Sequence, residues 1–90
     1  MIQHFNISVF GRVQGVGFRY HTKQIAQQLG LKGFVKNVYD GSVYIEVEGN
    51  PEKINDFIAW CRKGQGFSSV ENVIIESGEI KNFAFFEVKF

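Results

Sequence analysis

Gly11, Gly15 and Gly17 stand within seven residues of one another, and Phe18 and Arg19 follow at once. Glycines at that density let the backbone turn sharply and direct several N–H groups at one point. A helix beginning at this place adds unpaired N–H donors and a partial positive charge. Arg19, in the first turn of that helix, adds a full charge and a planar fork of donors. Gln14, Gly15, Val16, Gly17, Phe18 and Arg19 therefore read as a cradle for a small tetrahedral anion, above all a phosphoryl group. A flexible turn explains one glycine well but three poorly, and an ordinary solvated arginine does not explain why it follows them.

Asn37 is the second residue of interest. Taken alone, an Asn near a strand end is a turn former. Near an anion cradle its side chain offers one acceptor oxygen and two donor hydrogens, enough to hold a water at a fixed angle. It is no base near neutral pH, so its task there would be positioning. Other phosphate chemistries lack their parts. The chain has no G-x-x-x-x-G-K-[ST] segment, no paired acids or His cluster beside the loop to hold Mg²⁺ or Zn²⁺, and no Cys in the loop. The expected site uses no metal and no cofactor, only charge, orientation and water, which suffices for a substrate with a good leaving group. His4 falls on the polar side of an alternating segment and is expected to face solvent. His21 lies near the loop, but a helix does not aim residues i and i+2 at one point, so it is set aside. Cys61 reads as packing, and Trp60 as a cover for the sheet edge or a half-exposed ring.

The elements that must position these residues follow from periodicity. Phe5, Ile7 and Val9 alternate with His4, Asn6 and Ser8, which predicts a half-buried strand ending near Phe10. Phe18, Ile25, Ala26 and Leu29 share one face of a helix that Gly30 closes. Phe34 and Val35 sit in a second strand over about 32–38, and Asp40-Gly41 signals a hairpin into a third strand carrying Val43, Ile45 and Val47. Asn50-Pro51 starts a second helix with Ile54, Phe57, Ile58 and Cys61 on its apolar face. Lys63-Gly64-Gln65-Gly66 breaks it. Val70 to Glu76 and Phe83 to Phe90 complete the set as strands. The order β-α-β-β-α-β plus a terminal strand is an α+β, ferredoxin-like βαββαβ sandwich with two helices on one face of a mainly antiparallel sheet. The first two strands are joined through a helix and are most simply parallel with a right-handed crossover. Their C-terminal ends then share one sheet edge, which brings Asn37 toward the glycine loop.

Composition bounds the function. Ninety residues make one domain spanning 1–90, and a net charge of +1 argues against a strong nucleic-acid or anionic-membrane binder. One cysteine excludes an intrachain disulfide, and no charged leader or long apolar run follows Met1. The expectation is a soluble, cytoplasmic, monomeric protein. A binding module is the alternative in another class. RNA binding through sheet aromatics is disfavoured because Tyr44 is flanked by Glu46 and Glu48.

Two stretches carry a resemblance to the acylphosphatase family: Val9-Phe10-Gly11-Arg12-Val13-Gln14-Gly15-Val16-Gly17-Phe18-Arg19, and Gly33-Phe34-Val35-Lys36-Asn37-Val38-Tyr39-Asp40-Gly41-Ser42-Val43 with Gly49 after it. Both follow the family's signature patterns without a gap. The resemblance implies the same ferredoxin-like fold and hydrolysis of a small-molecule acyl phosphate to a carboxylate and inorganic phosphate, with no metal. It implies that Arg19 is the phosphate-binding catalytic arginine and Asn37 the water-orienting asparagine. Val38-Tyr39 is bulkier than the polar pair common in the family, and residues 64 to 69 lack its usual proline. Both departures bear on substrate preference more than on chemistry. A further alternative is a domain acting within a larger carbamoyl-transfer protein. The absence of zinc-finger cysteines or a linker favours a free-standing enzyme.

Overall fold

The computed structural model describes residues 1–64 and 66–90. The elements run β1 (Gln3–Arg12), α1 (Phe18–Gln28), β2 (Lys32–Asn37), β3 (Val43–Gly49), α2 (Pro51–Lys63), β4 (Ser69–Ser77) and β5 (Phe86–Lys89). They build one five-stranded sheet in the order β4-β1-β3-β2-β5. The β3 strand pairs antiparallel with both β1 and β2, so β1 and β2 run parallel to each other, as the sequence predicts. The two helices pack on one sheet face over Ile7, Val9, Val35, Val43, Ile45 and Val47, with Phe18, Ala26, Ile54, Phe57 and Cys61 closing the core from above. Ile7 is level with Ile45 and Ile75, and Val35 with Ile45, so period-2 alternation puts one apolar row across four strands. Among the described residues no helix is long and apolar enough to cross a membrane.

The two helices begin differently. At α2, the Asn50 side chain accepts a hydrogen bond from the Glu52 N–H at 2.8 Å, Pro51 follows, and Glu52 sits in the first turn. Arg62 and Lys63 lie in its last turn, so the charges at both ends complement the helix dipole. The predicted break falls at Gly64, which caps the helix; Gln65, within that predicted break, lies outside the described residues. Trp60, off the main stripe, stacks on Phe18 at 5.3 Å and lies 6.4 Å from Phe57. Cys61 is fully buried, and burial pushes its thiol up to about 12, which fits packing and not nucleophilic chemistry.

The strands depart from expectation at their ends. The first runs two residues past Phe10, through a bulge between Phe10 and Gly11, to pair with β4 as far as Ser69. The last is shorter than the predicted 83–90. It occupies Phe86–Lys89, parallel to β2 at the sheet edge. Residues 83–85 are used instead to cover the face opposite the helices. Phe83 stands edge-on to Phe34 at 5.8 Å and stacks on His4 at 5.9 Å, while the Gly33 N–H donates to the Phe85 carbonyl at 3.1 Å.

This cover corrects the expectation for His4. It does not face solvent; it is 3% exposed, between two buried carboxylates. Its Nδ1 lies 2.7 Å from a Glu48 oxygen, and its Nε2 lies 2.8 Å from Asn6 Oδ1 and 3.2 Å from a Glu46 oxygen. The Glu48 carboxylate also accepts the Phe83 N–H at 3.1 Å and the Lys81 N–H, and Glu46 accepts Lys81 Nζ at 2.8 Å and the Tyr44 hydroxyl at 2.9 Å. Alternation put His4 on the polar face, but a segment distant in sequence buries that face. Burial pushes the Glu46 carboxyl up, but the bonds from Lys81 and Tyr44 outweigh it and hold the group below its ordinary value. At Glu48, burial is likewise outweighed, by the Lys81 N–H, His4 and the Phe83 N–H.

Both carboxyls thus titrate lower in the fold than in the unfolded chain, so their contribution is present above the ordinary value of 4.5 and is lost as pH falls through the lowered folded values. Denaturant midpoints are expected to fall steeply from pH 5 to pH 3. Glu48→Gln should lose about 2 kcal/mol at pH 7, as expected for hydrogen bonds to a buried charge, and should flatten the acid limb. Equal pH slopes for the wild type and this variant would show that the network does not couple to folding.

Candidate functional site

The loop between β1 and α1 and the end of β2 meet at one sheet edge because β3 holds β1 and β2 parallel. A cavity of about 180 Å³ lies there, lined by Val13, Gly15, Gly17, Phe18, Arg19, Tyr20, Asn37, Val88 and Phe90. Four of the predicted site residues, Gly15, Gly17, Phe18 and Arg19, therefore share one cavity with Asn37. Val88 and Phe90 come from the end of the chain, which periodicity had no means of placing there.

The loop conformation requires glycine twice. Gly15 has φ +74° and Gly17 has φ +79°, both left-handed, where a side chain is strained. Gly17 is the residue on which α1 starts, and the His21 N–H donates to its carbonyl at 3.1 Å. Unlike α2, α1 has no side-chain cap and no acidic residue in its first turn. Its first N–H groups have no acceptor within the helix, and the nearest added charge, Arg19, has the same sign as the helix's positive end. That arrangement is unfavourable for a helix by itself and favourable for an anion.

Arg19 lies on the cavity wall, braced by the C-terminal strand. Its Nη1 donates to the Lys89 carbonyl at 2.9 Å, and its guanidinium carbon sits 4.8 Å from the centre of the Phe90 ring. The hydrogen bond uses one of the five guanidinium donors. Asn37 closes β2 opposite Val43. Its Oδ1 is buried and makes no hydrogen bond to the chain. A buried amide oxygen left unpaired costs about 1–3 kcal/mol, so this atom is one that a polar ligand or water would satisfy.

Gln14 does something the sequence did not reveal. Its Nε2 donates to the Val38 carbonyl at 2.6 Å and to the Ser42 carbonyl at 2.8 Å, tying the glycine loop to the β2–β3 hairpin. The hairpin is closed by the Val38 N–H donating to Ser42 O at 2.8 Å, and Asp40 accepts both the N–H and the hydroxyl of Ser42. The two bonds from Ser42 hold the Asp40 carboxyl below its ordinary value. Gln14 and Val16 do not line the cavity; the Gln14 side chain braces the loop that does. His21, set aside on helical geometry, packs behind Gly17: a methyl group there would meet the His21 ring at 3.7 Å. The i, i+4 spacing from Gly17, not the i, i+2 spacing from Arg19, was the signal that could have found it.

In class this is a small α+β domain of the ferredoxin-like type with an additional edge strand. The acylphosphatase family model matches residues 5–88. An acylphosphatase from Archaeoglobus fulgidus is 43% identical over 84 residues, covering 93% of this chain and 94% of the relative. The crystal structure of acylphosphatase from Bacillus subtilis superposes with a TM-score of 0.95 at 34% identity over the whole of both chains. The structure of full-length HypF in its phosphate- and nucleotide-bound form contains a similar unit, with a TM-score of 0.89 and 34% identity over 100% of this chain and 12% of that one. The chain belongs to the acylphosphatase family.

Two variants test the loop. Gly17→Ala has open room apart from the His21 ring, so its cost should come from the left-handed backbone, about 1–2 kcal/mol. Gln14→Leu removes both bonds that tie the loop to the hairpin and should cost a similar amount, about 1–3 kcal/mol. Thermal unfolding should show lowered midpoints for both. A Gln14→Leu protein as stable as the wild type would remove the brace.

Proposed function

We propose that this chain hydrolyses the carboxyl–phosphate bond of acyl phosphates, using neither metal nor cofactor. The phosphoryl oxygens bind the Arg19 guanidinium and the backbone N–H groups of the loop through residues 15–19. Asn37 holds the attacking water in line with the breaking P–O bond. The observation that carries this reading is the uncapped, acid-free start of α1, with Arg19 in its first turn and Asn37 lining the same cavity. Family membership supports it independently.

An acyl phosphate is a mixed anhydride, and its carboxylate leaves readily. The water oxygen forms a bond to phosphorus as the P–O bond to the acyl group breaks, and that electron pair leaves with the carboxylate. Asn37 cannot take the water's proton, so a non-bridging phosphate oxygen of the substrate takes it. Arg19 and the oriented N–H groups offset the charge on the phosphoryl oxygens through the transition state, where fixed donors act most strongly. Among the described residues, no side chain lining the cavity carries a carboxylate, imidazole or thiol, so these side chains offer a divalent ion no ligand set. The net charge of +1 supports a small-molecule substrate over nucleic acid or an anionic membrane, and we read the chain as a cytoplasmic monomer. The likeness to HypF supports a second reading, in which a domain of this kind serves inside a much larger protein. Under either reading the 90 residues hold the whole cavity, so they should turn over acetyl phosphate by themselves.

Arg19→Gln and Asn37→Ala should each lower kcat/KM for acetyl phosphate by about 10²–10³, the range for loss of one oriented donor, with unfolding midpoints close to wild type. Chelator should leave the wild-type rate unchanged. A folded Arg19→Gln protein with near-wild-type turnover would overturn the assignment.

A further inference from the structure

The α1 helix buries Phe18, Thr22 and Ala26, spaced one turn apart. Thr22 is the polar member of that row. It is 0% exposed and does not line the cavity, and its hydroxyl donates to the Phe18 carbonyl at 2.7 Å. A hydroxyl buried in a helix turns back to the carbonyl four residues earlier, and such a bond slightly weakens the helix. Valine would fill the same branched space with no polar group to satisfy. Packing therefore does not account for the hydroxyl.

What the hydroxyl does hold is one end of a peptide group. The Phe18 carbonyl and the Arg19 N–H belong to the same planar unit. In a helix the carbonyl points toward the C-terminus and the N–H toward the N-terminus, so whatever fixes the carbonyl aims the N–H. The helix gives that carbonyl one donor, the N–H of residue 22, and the hydroxyl adds a second. Arg19 borders the cavity, and its N–H is one of the first-turn donors with no acceptor inside the helix. A donor on the carbonyl oxygen also polarises the amide, strengthening the hydrogen bond at its other end by about 10–30%. The preceding peptide is held by the backbone, with the Gly17 carbonyl accepting the His21 N–H at 3.1 Å.

We propose that the Thr22 hydroxyl positions and polarises the Phe18–Arg19 peptide, so that the Arg19 N–H binds the phosphoryl group alongside the Arg19 guanidinium. This rests on the acyl-phosphate reading above. Thr22 is then a positioning residue: it acts from inside the core, through one peptide group, and never meets the substrate.

The test sets Thr22→Val, which keeps the branched shape and loses the hydroxyl, against Thr22→Ser, which keeps the hydroxyl and loses a methyl. In Thr22→Val the inhibition constant of inorganic phosphate and kcat/KM for acetyl phosphate should each worsen by roughly 10-fold, short of the 10²–10³ for losing a donor outright. Thr22→Ser should restore most of that loss, although its unfolding midpoint falls below that of Thr22→Val because the missing methyl leaves a gap in the core. A merely structural role would make activity follow stability instead. On saturation with inorganic phosphate, the NMR signal of the Arg19 amide proton should move downfield in the wild type and Thr22→Ser and move less in Thr22→Val, while the Phe18 amide responds alike in all three. Should Thr22→Val not fold, Thr22→Ser and Thr22→Ala differ only in the hydroxyl and give the same comparison. A folded Thr22→Val protein with wild-type inhibition, turnover and Arg19 shift overturns the proposal, and so does equal loss in Thr22→Val and Thr22→Ser. A wild type that hydrolyses acetyl phosphate while its Arg19 amide ignores phosphate overturns it as well. A wild type that neither hydrolyses acetyl phosphate nor responds to phosphate refutes the acyl-phosphate reading itself, an outcome distinct from hydrolysis with no dependence on the hydroxyl.

Discussion

The pairing of β3 with both β1 and β2 is the constraint on which the rest depends. Two antiparallel ladders to one central strand leave β1 and β2 parallel, with their C-terminal ends at one edge. The glycine loop leaves one of those ends and Asn37 stands at the other. The register is secured by the apolar row through Ile7, Ile45 and Val35, because a one-residue slip would turn every one of these side chains to the opposite face. Gln14 then ties the loop to the hairpin that joins β2 and β3. The relative position of loop and Asn37 is thus set by a buried ladder and adjusted by two hydrogen bonds.

The two helices show where the molecule forgoes stability. The α2 helix has a side-chain cap, a proline at its first position, an acid in its first turn and bases in its last. The α1 helix starts on a left-handed glycine, with no cap, no acid and an arginine of the wrong sign for its dipole. One chain with one core builds both, so the difference is local to the loop. Strained backbone, unsatisfied donors and an unpaired Asn37 oxygen gather in one place, as expected where binding, not folding, selects the residues.

A second polar system lies on the far side of the sheet and serves folding. His4, Glu46 and Glu48 are buried beneath the segment that leads from β4 to β5, and Lys81 and Phe83 are fastened to their carboxylates. This strap carries the chain across the open face, so that β5 adds to the edge of the sheet beside β2. Only then can the Lys89 carbonyl and the Phe90 ring reach Arg19. The buried network and the cavity beside the glycine loop lie on different parts of the molecule, yet the second is completed by an element the first holds in position.

Periodicity alone determined both helices, the three central strands, the parallel relation of β1 and β2, and the approach of Asn37 to the glycine loop, because these follow from local side-chain spacing and one topological rule. The glycines and Arg19 were legible for the same reason: backbone freedom and charge are properties of residue type. Three matters were decided only in the tertiary structure. His4 is buried because residues 78–85, far away in sequence, fold over an alternating face that looks solvent-exposed when read by itself. Gln14 braces the hairpin because its amide meets two carbonyls more than twenty residues onward. Phe90 and Val88 reach the cavity because β5 pairs parallel at the edge of β2, a choice of partner that a short apolar run does not encode. Alternation states which side of a strand is apolar. What covers the other side, and which edge a last strand joins, depends on contacts between residues distant in the chain.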